Sequence, residues 1–184
     1  MRRIFGGSIK LGSGLGPAMV AFDLWIGELI ASQSPVVTAA RKVRVGEVIA
    51  SVAKTIAAGT EGLEKDLLRK AVEETLFIAA GQNMEISARK AQSRWVRYVR
   101  GHGQRAMIEM FVANHLWNVL WLAAGDVFGQ SDNRAAEYTM RRLRRTCQLL
   151  VNAVSQSRGL NDDPISLSTA QQVIWALEAS ISSL

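Results

Sequence analysis

Histidine, cysteine, tyrosine and proline are all scarce in this chain of 184 residues, which has 2, 1, 2 and 3 of them. The single cysteine, Cys147, excludes an internal disulfide. Inside a helical run a lone thiol behaves as a small buried hydrophobe, which fits a reducing, cytoplasmic setting. The two histidines, His102 and His115, do not stand three residues after a glutamate. That removes the paired Glu-x-x-His motif of a di-iron bundle, so no metal or other cofactor is expected. His115, flanked by Asn114, reads as a hydrogen-bonded core residue and not a haem ligand. Cys147 sits among arginine and leucine with no histidine near it in sequence, so nucleophilic catalysis lacks its base. Glu73-Glu74 and Asp162-Asp163 read as helix surface and turn. The expectation is a protein that is not an enzyme.

Long charge-free apolar runs are also missing. The opening Met1-Arg2-Arg3 and the apolar stretch Leu15 to Ala31 have the outline of an export signal, but Asp23 and Glu28 interrupt it and no clean cleavage site follows. The window from Ala106 to Ala124 is nearly long enough to span a bilayer. Glu109, Asn114, His115 and Asn118 lie within it, and a charge at mid-bilayer costs about 2.5–3.5 kcal/mol. A buried helix is the better reading. The Gly-rich segment 6–16 lacks the preceding strand and the spacing of a dinucleotide loop. Residues 1–16 are therefore expected to form a flexible leader, and 17–184 a single helical domain.

What the chain does have is helix-forming composition. Hydrophobic residues make up 48% and charged ones 21%, which is globular and not disordered. Apolar residues recur at helical spacing between widely separated breakers. Pro17 suits the first turn of one helix. A second is expected from the Ser34-Pro35 pair to about Ala58, with Arg41, Lys42 and Arg44 as a basic patch. Thr60 is the expected cap of the next. Gly81 either divides the following stretch or weakens it, and Gly101 and Gly103 break it. Ser131, Asp132 or Asn133 begins another helix that Gly159 stops, and Ser166 or Ser168 caps the last. The fold class is all-α, a bundle or layered array of six to seven helices with short loops.

The stretch from Gln104 to Gly125 organises the rest, because its apolar residues leave no broad polar face and such a helix must be buried. Its exceptions, Asn114, His115 and Asn118, form a narrow polar stripe at spacings of three and four. That stripe is a candidate for fixing helix register or subunit pairing, by analogy with a buried coiled-coil asparagine.

Net charge is +6, with 22 Lys and Arg against 16 Asp and Glu. Half of the cations lie in residues 89–105 and 134–145. The candidate contacts for phosphate or an anionic surface are Arg89, Lys90, Arg94, Arg97, Arg100 and Arg105 in the first segment, and Arg141, Arg142, Arg144 and Arg145 in the second, which also contains Arg134. Arginine suits phosphate because its planar fork donates in pairs. Trp95 and Tyr98 are candidate aromatic contacts, stacking on bases or anchoring at lipid headgroups. The alternative for these segments is a solvated, salt-bridged face opposite Glu61, Glu64, Asp66, Glu73 and Glu74.

Residues 21–45, AFDLWIGELIASQSPVVTAARKVRV, resemble the phasin family of polyhydroxyalkanoate granule-coat proteins. The likeness is an apolar-aromatic opening with Trp25, then Glu28 or Gln33, Val36-Val37 and Arg41. It implies a non-enzymatic, self-associating protein adsorbed on a hydrophobic granule. Taken with the amphipathic stretches, the expected function is self-association as a homo-oligomer and binding to a hydrophobic granule or anionic lipid surface. The alternative is a nucleic-acid-binding helical protein with its arginines on phosphates.

Overall fold

A computed structural model of the chain describes residues 10–32, 44–83, 85–128, 133–158 and 164–182. These form seven helices: α1 (Leu15–Ala31), α2 (Val45–Ile56), α3 (Gly62–Ala79), α4 (Ala88–His102), α5 (Gln104–Phe128), α6 (Asn133–Ser157) and α7 (Leu167–Ser182). The protein is an all-α layered bundle with no named strand among the described residues. No described helix is long and apolar enough to cross a membrane.

Helix α5 is the axis, packed against α1, α3, α4 and α6. Every residue from Met107 to Leu116 is buried. An all-round apolar helix has no face to give to water, so neighbours enclose it. Phe111 meets Phe22 of α1 at 5.2 Å between ring centroids, Phe22 stacks on Trp25, and Trp25 meets Trp95 of α4 edge-on at 5.9 Å. Offset and tilted pairs of this kind are the favoured aromatic geometries.

Two carboxylates tie distant segments together. Asp23, buried in α1, accepts the Ile165 N–H at 2.9 Å through Oδ2 and the Gln104 side-chain amide at 2.6 Å through Oδ1. Glu178 of α7 accepts the Leu11 N–H at 2.9 Å. Leu11, ahead of α1, thus meets Glu178 late in α7, and Asp23, within α1, meets Ile165 ahead of α7, so the two helices run antiparallel.

Several local expectations are corrected. The leader does not extend to Gly16: Leu11 is 1% exposed and in the core, and the Gly14 N–H bonds the Glu64 carboxylate at 2.6 Å. Gly12 is favoured there by its φ of +92°, and a Cβ at Gly14 would collide with Thr60 of the turn before α3. Residues 1–9 lie outside the described residues. Thr60 does not cap α3: its hydroxyl donates to the Ala57 carbonyl at the end of α2, and Glu61 holds the N-cap position without a side-chain bond. The second expected helix does not run unbroken from Pro35, because Arg44 is extended and bridges to Ser87; its expected start and the patch residues Arg41 and Lys42 lie outside the described residues. So do Gln33, Val36 and Val37 of the resemblance, the cap candidates Ser131 and Asp132, and Gly159 with the Asn161-Asp162-Asp163 turn.

The open question at Gly81 is resolved as a true break. Gly81 and Gln82 both adopt positive φ, 78° and 55°, a conformation that ends α3. Ser87 caps α4 by accepting the Lys90 N–H, Gly103 at φ 87° separates α4 from α5, and Ser166 caps α7 by accepting the Thr169 N–H at 3.1 Å.

Candidate anionic interface on the arginine-rich helices

Helices α4 and α6 carry similar sequences to different places. In α4 the apolar stripe Ala91, Trp95 and Val99 faces the core, because these residues recur every four positions on one side. Trp95 is 1% exposed and its indole N–H donates to the Leu76 carbonyl at 2.8 Å. The expected aromatic contact at Trp95 is therefore corrected. The ring is a core element with its one polar group spent inside, and it offers no stacking surface. Tyr98 is half-buried and stacks on His102, with centroids 4.5 Å apart.

The cations of α4 also divide. Arg94 turns inward and its Nη1 donates to the Ala80 carbonyl at 2.5 Å, satisfying a carbonyl at the end of α3 where the helix dipole is negative. Arg105, at the start of α5, pairs with the buried Glu109 at 2.7 Å. Both are corrected from free contacts to structural ones. Arg89, Lys90, Arg97 and Arg100 are exposed and make no ion pair among the described residues.

In α6, Cys147, Val151 and Val154 point into the bundle. Burial pushes the Cys147 thiol up to about 12, against the smaller opposing influence of its own backbone and the Arg144 charge. The outward side is different from that of α4. Tyr138, Arg142, Arg145 and Leu149 follow one another at spacings of four, three and four, so they form one stripe. All four are exposed, Tyr138 at 68% and Leu149 at 59%. Neither Tyr138 nor Leu149 is among the contact residues expected from the sequence. The signal was the helical spacing from the two arginines. The side chain of Arg134 lies outside the described residues.

Between these faces, Arg144 reaches into a polar core. Its Nη2 donates to Asn114 Oδ1 at 2.9 Å and to Glu74 Oε2 at 3.3 Å. Asn114 in turn donates to the Thr75 hydroxyl at 3.0 Å, and Thr75 donates to the Ala71 carbonyl at 2.7 Å. Burial raises the Glu74 carboxyl above its ordinary value, against the lowering influence of Arg144 and Lys70. Arg144 is thus a structural bridge first. Beside it, a groove of about 310 Å³ is lined by Ile78, Met110, Ala113, Asn114, Arg141, Arg144, Arg145 and Gln148.

The polar stripe of α5 does not act as one unit. Asn114 turns to α3 and α6, while His115, 1% exposed, donates from Nε2 to the Leu11 carbonyl at 2.8 Å. Burial lowers the His115 pKa, opposed by the Leu11 carbonyl, the Glu64 charge and the Leu67 backbone. Asn118 is 2% exposed with neither amide atom bonded among the described residues. All three lie inside one chain's bundle and not on a face open to a second copy. No group of three or more His, Cys, Asp or Glu side chains among the described residues is placed to hold a metal ion.

No family model, curated protein or solved structure matches the chain. The geometry of α4 and α6 carries the functional reading.

Proposed function

We propose that this protein is a non-enzymatic helical protein that associates with an anionic lipid surface through the outer faces of α6 and α4. The observation that carries this is the α6 stripe, where exposed Tyr138 and Leu149 flank exposed Arg142 and Arg145. Aromatic and aliphatic side chains interleaved with arginine suit the membrane interface, where apolar groups enter the acyl boundary and guanidiniums meet phosphates. Arg89, Lys90, Arg97 and Arg100 of α4 add charge to the attraction. Attachment in the closed fold is mainly electrostatic, because Phe22, Ile26 and Leu29 of the phasin-like segment are in the core. Granule binding of the phasin kind, which would use those residues, requires the bundle to open; self-association is a separate proposal, read by light scattering.

Nucleic acid is the second reading, favoured by the four exposed cations of α4. With Trp95 buried, that helix would contact phosphates without stacking on bases. Vesicle flotation tests the proposal. Vesicles with anionic phospholipid should carry the protein upward at low salt, and neutral vesicles should not. Arg142→Ser with Arg145→Ser should weaken binding roughly 30-fold, from about 1 kcal/mol per arginine. Failure to float with anionic vesicles, together with salt-sensitive binding to duplex DNA, would replace the lipid reading by the nucleic-acid one.

A further inference from the structure

Helices α1 and α7 pack side by side and share an outer face that the anionic-surface reading leaves unused. Neither helix holds a lysine or arginine, although the chain has 22. Of their three carboxylates, Asp23 and Glu178 accept the Ile165 and Leu11 N–H groups, and Glu28 alone is an exposed residue. The large outward side chains are apolar: Leu24 is 59% exposed and Trp175 63%. Gly16 lies against Gln171 and Ile174 of α7, and Val20, Leu24 and Gly27 follow next around α1 towards solvent. On α7, Gln171 and Glu178 face α1, and Trp175 follows next around the helix. The two exposed side chains therefore stand on one continuous face. Gly27 adds a second observation. Glycine weakens a helix interior, yet nothing within the chain requires it here: its φ is not positive, and a Cβ would meet nothing within 4 Å. It leaves bare backbone beside Leu24, a seat for a flat ring from outside.

Charge and area point to one occupant. Copies of a chain with net charge +6 repel wherever their cations meet, and α1 and α7 contribute no cation to this face. For the same reason an anionic lipid surface is not drawn to it. Helices of 17 and 16 residues are each about 25 Å long and about 10 Å wide, so the pair presents roughly 500 Å² to a partner. Two such faces bury about 1,000 Å², the size at which a specific interface begins. We propose that the outer face of α1 and α7 joins two copies of this chain about a two-fold axis, with Trp175 of each lying over Gly27 and against Leu24 of the other. A tryptophan buried at the centre of a contact is the side chain that carries most interface energy. The inference goes beyond the anionic-surface reading and does not rest on it, since it uses neither α4 nor α6.

Sedimentation velocity of the full chain from about 1 to about 100 µM tests this. The expected result is a monomer–dimer equilibrium with nothing larger, because a two-fold contact closes on itself. Added salt should leave the dimer intact while it weakens flotation with anionic vesicles. Trp175→Ala should weaken dimerisation at least about 30-fold, the loss typical of an aromatic anchor. Gly27→Glu should abolish it by filling the seat with a charge. That substitution begins in open space and replaces glycine by a better helix former, so the monomer keeps its fold, which circular dichroism verifies. Arg142→Ser on α6 should leave the dimer unchanged and weaken flotation alone. The proposal is overturned if the chain is monomeric throughout this range, if it forms an open series of larger species, or if Trp175→Ala and Gly27→Glu both leave the dimer intact. It is also overturned if the chain floats with neutral vesicles and Trp175→Ala abolishes that, which would assign the face to lipid. A dimer broken by these two variants, in a chain that does not float with anionic vesicles, would remove the lipid reading and leave this one standing.

Discussion

Helices α4 and α6 are both arginine-rich, both amphipathic and both packed on α5, yet they use their aromatic residues in opposite ways. The aromatic that matters in α4, Trp95, is inside and bonded to the Leu76 carbonyl, whereas that of α6, Tyr138, is outside. Their inward-reaching arginines differ as well. Arg94 serves the C-terminal end of α3 through the Ala80 carbonyl, and Arg144 joins a chain of hydrogen bonds through Asn114 to Thr75. Arginine content by itself therefore says little about function. What separates structural arginines from free ones is whether an uncapped carbonyl or a buried carboxylate lies within reach of the guanidinium.

The sharpest way to break the comparison is to truncate both aromatics. Trp95→Ala should destabilise the protein by about 3–5 kcal/mol, since it empties a core site and removes the indole N–H from the Leu76 carbonyl, which keeps the Ala80 N–H. Tyr138→Ala should change stability by less than about 0.5 kcal/mol. Equilibrium urea unfolding measures both, and equal losses would contradict the burial assigned to the two rings.

The arginines of α4 give a smaller effect of the same kind. Arg94→Ala should cost about 1–2 kcal/mol by removing the cation from the Ala80 carbonyl. Arg97→Ala, three residues along and exposed, should cost under about 0.5 kcal/mol. If Arg97 were the more costly of the pair, the division into structural and free cations would fail.

The third prediction has no energetic cost and reports which side of α6 is inside. The Cys147 thiol, pushed up to about 12 by burial, should resist alkylation of the native protein at pH 8. Its rate should rise about tenfold per pH unit as long as the fold persists, because the thiolate is the nucleophile. In denaturant the reaction should be fast. Rapid native labelling with an ordinary thiol pH profile would place Cys147 outside.

Much of the fold was legible from spacing. The all-round apolar pattern of Gln104 to Gly125 required a helix enclosed by others, and α5 is that helix. Capping residues and glycine breakers mark Ser166 and Gly103 correctly as boundaries, because these are local effects of a few adjacent residues. Thr60 was misread for the same reason that makes such signals useful. Its hydroxyl has two candidate partners, one in the helix before it and one in the helix after, and the turn geometry chose the first. The Gly-rich segment was read as a leader because its attachments are to Glu64, His115 and Glu178, residues between 50 and 167 positions away for the bonds that hold it.

The candidate site was legible only as a list of cations. Neither charge nor periodicity separates Arg94 and Arg105 from Arg97 and Arg100, since all share the same chemistry and lie within a few turns. Their partners, Ala80 and Glu109, settle the matter through distance. In the same way the groove needs Ile78, Met110 and Arg145 from three helices at once.

The sequence by itself determined the helical class, most of the helix boundaries and the central burial of α5, because those follow from local propensity and the period of apolar residues. Tertiary structure alone decided which arginines are spent on carbonyls and carboxylates, which aromatic faces water, and that an arginine-rimmed groove exists. Each of those depends on groups far apart in the chain meeting at hydrogen-bonding or van der Waals distance, and no local pattern encodes such a meeting.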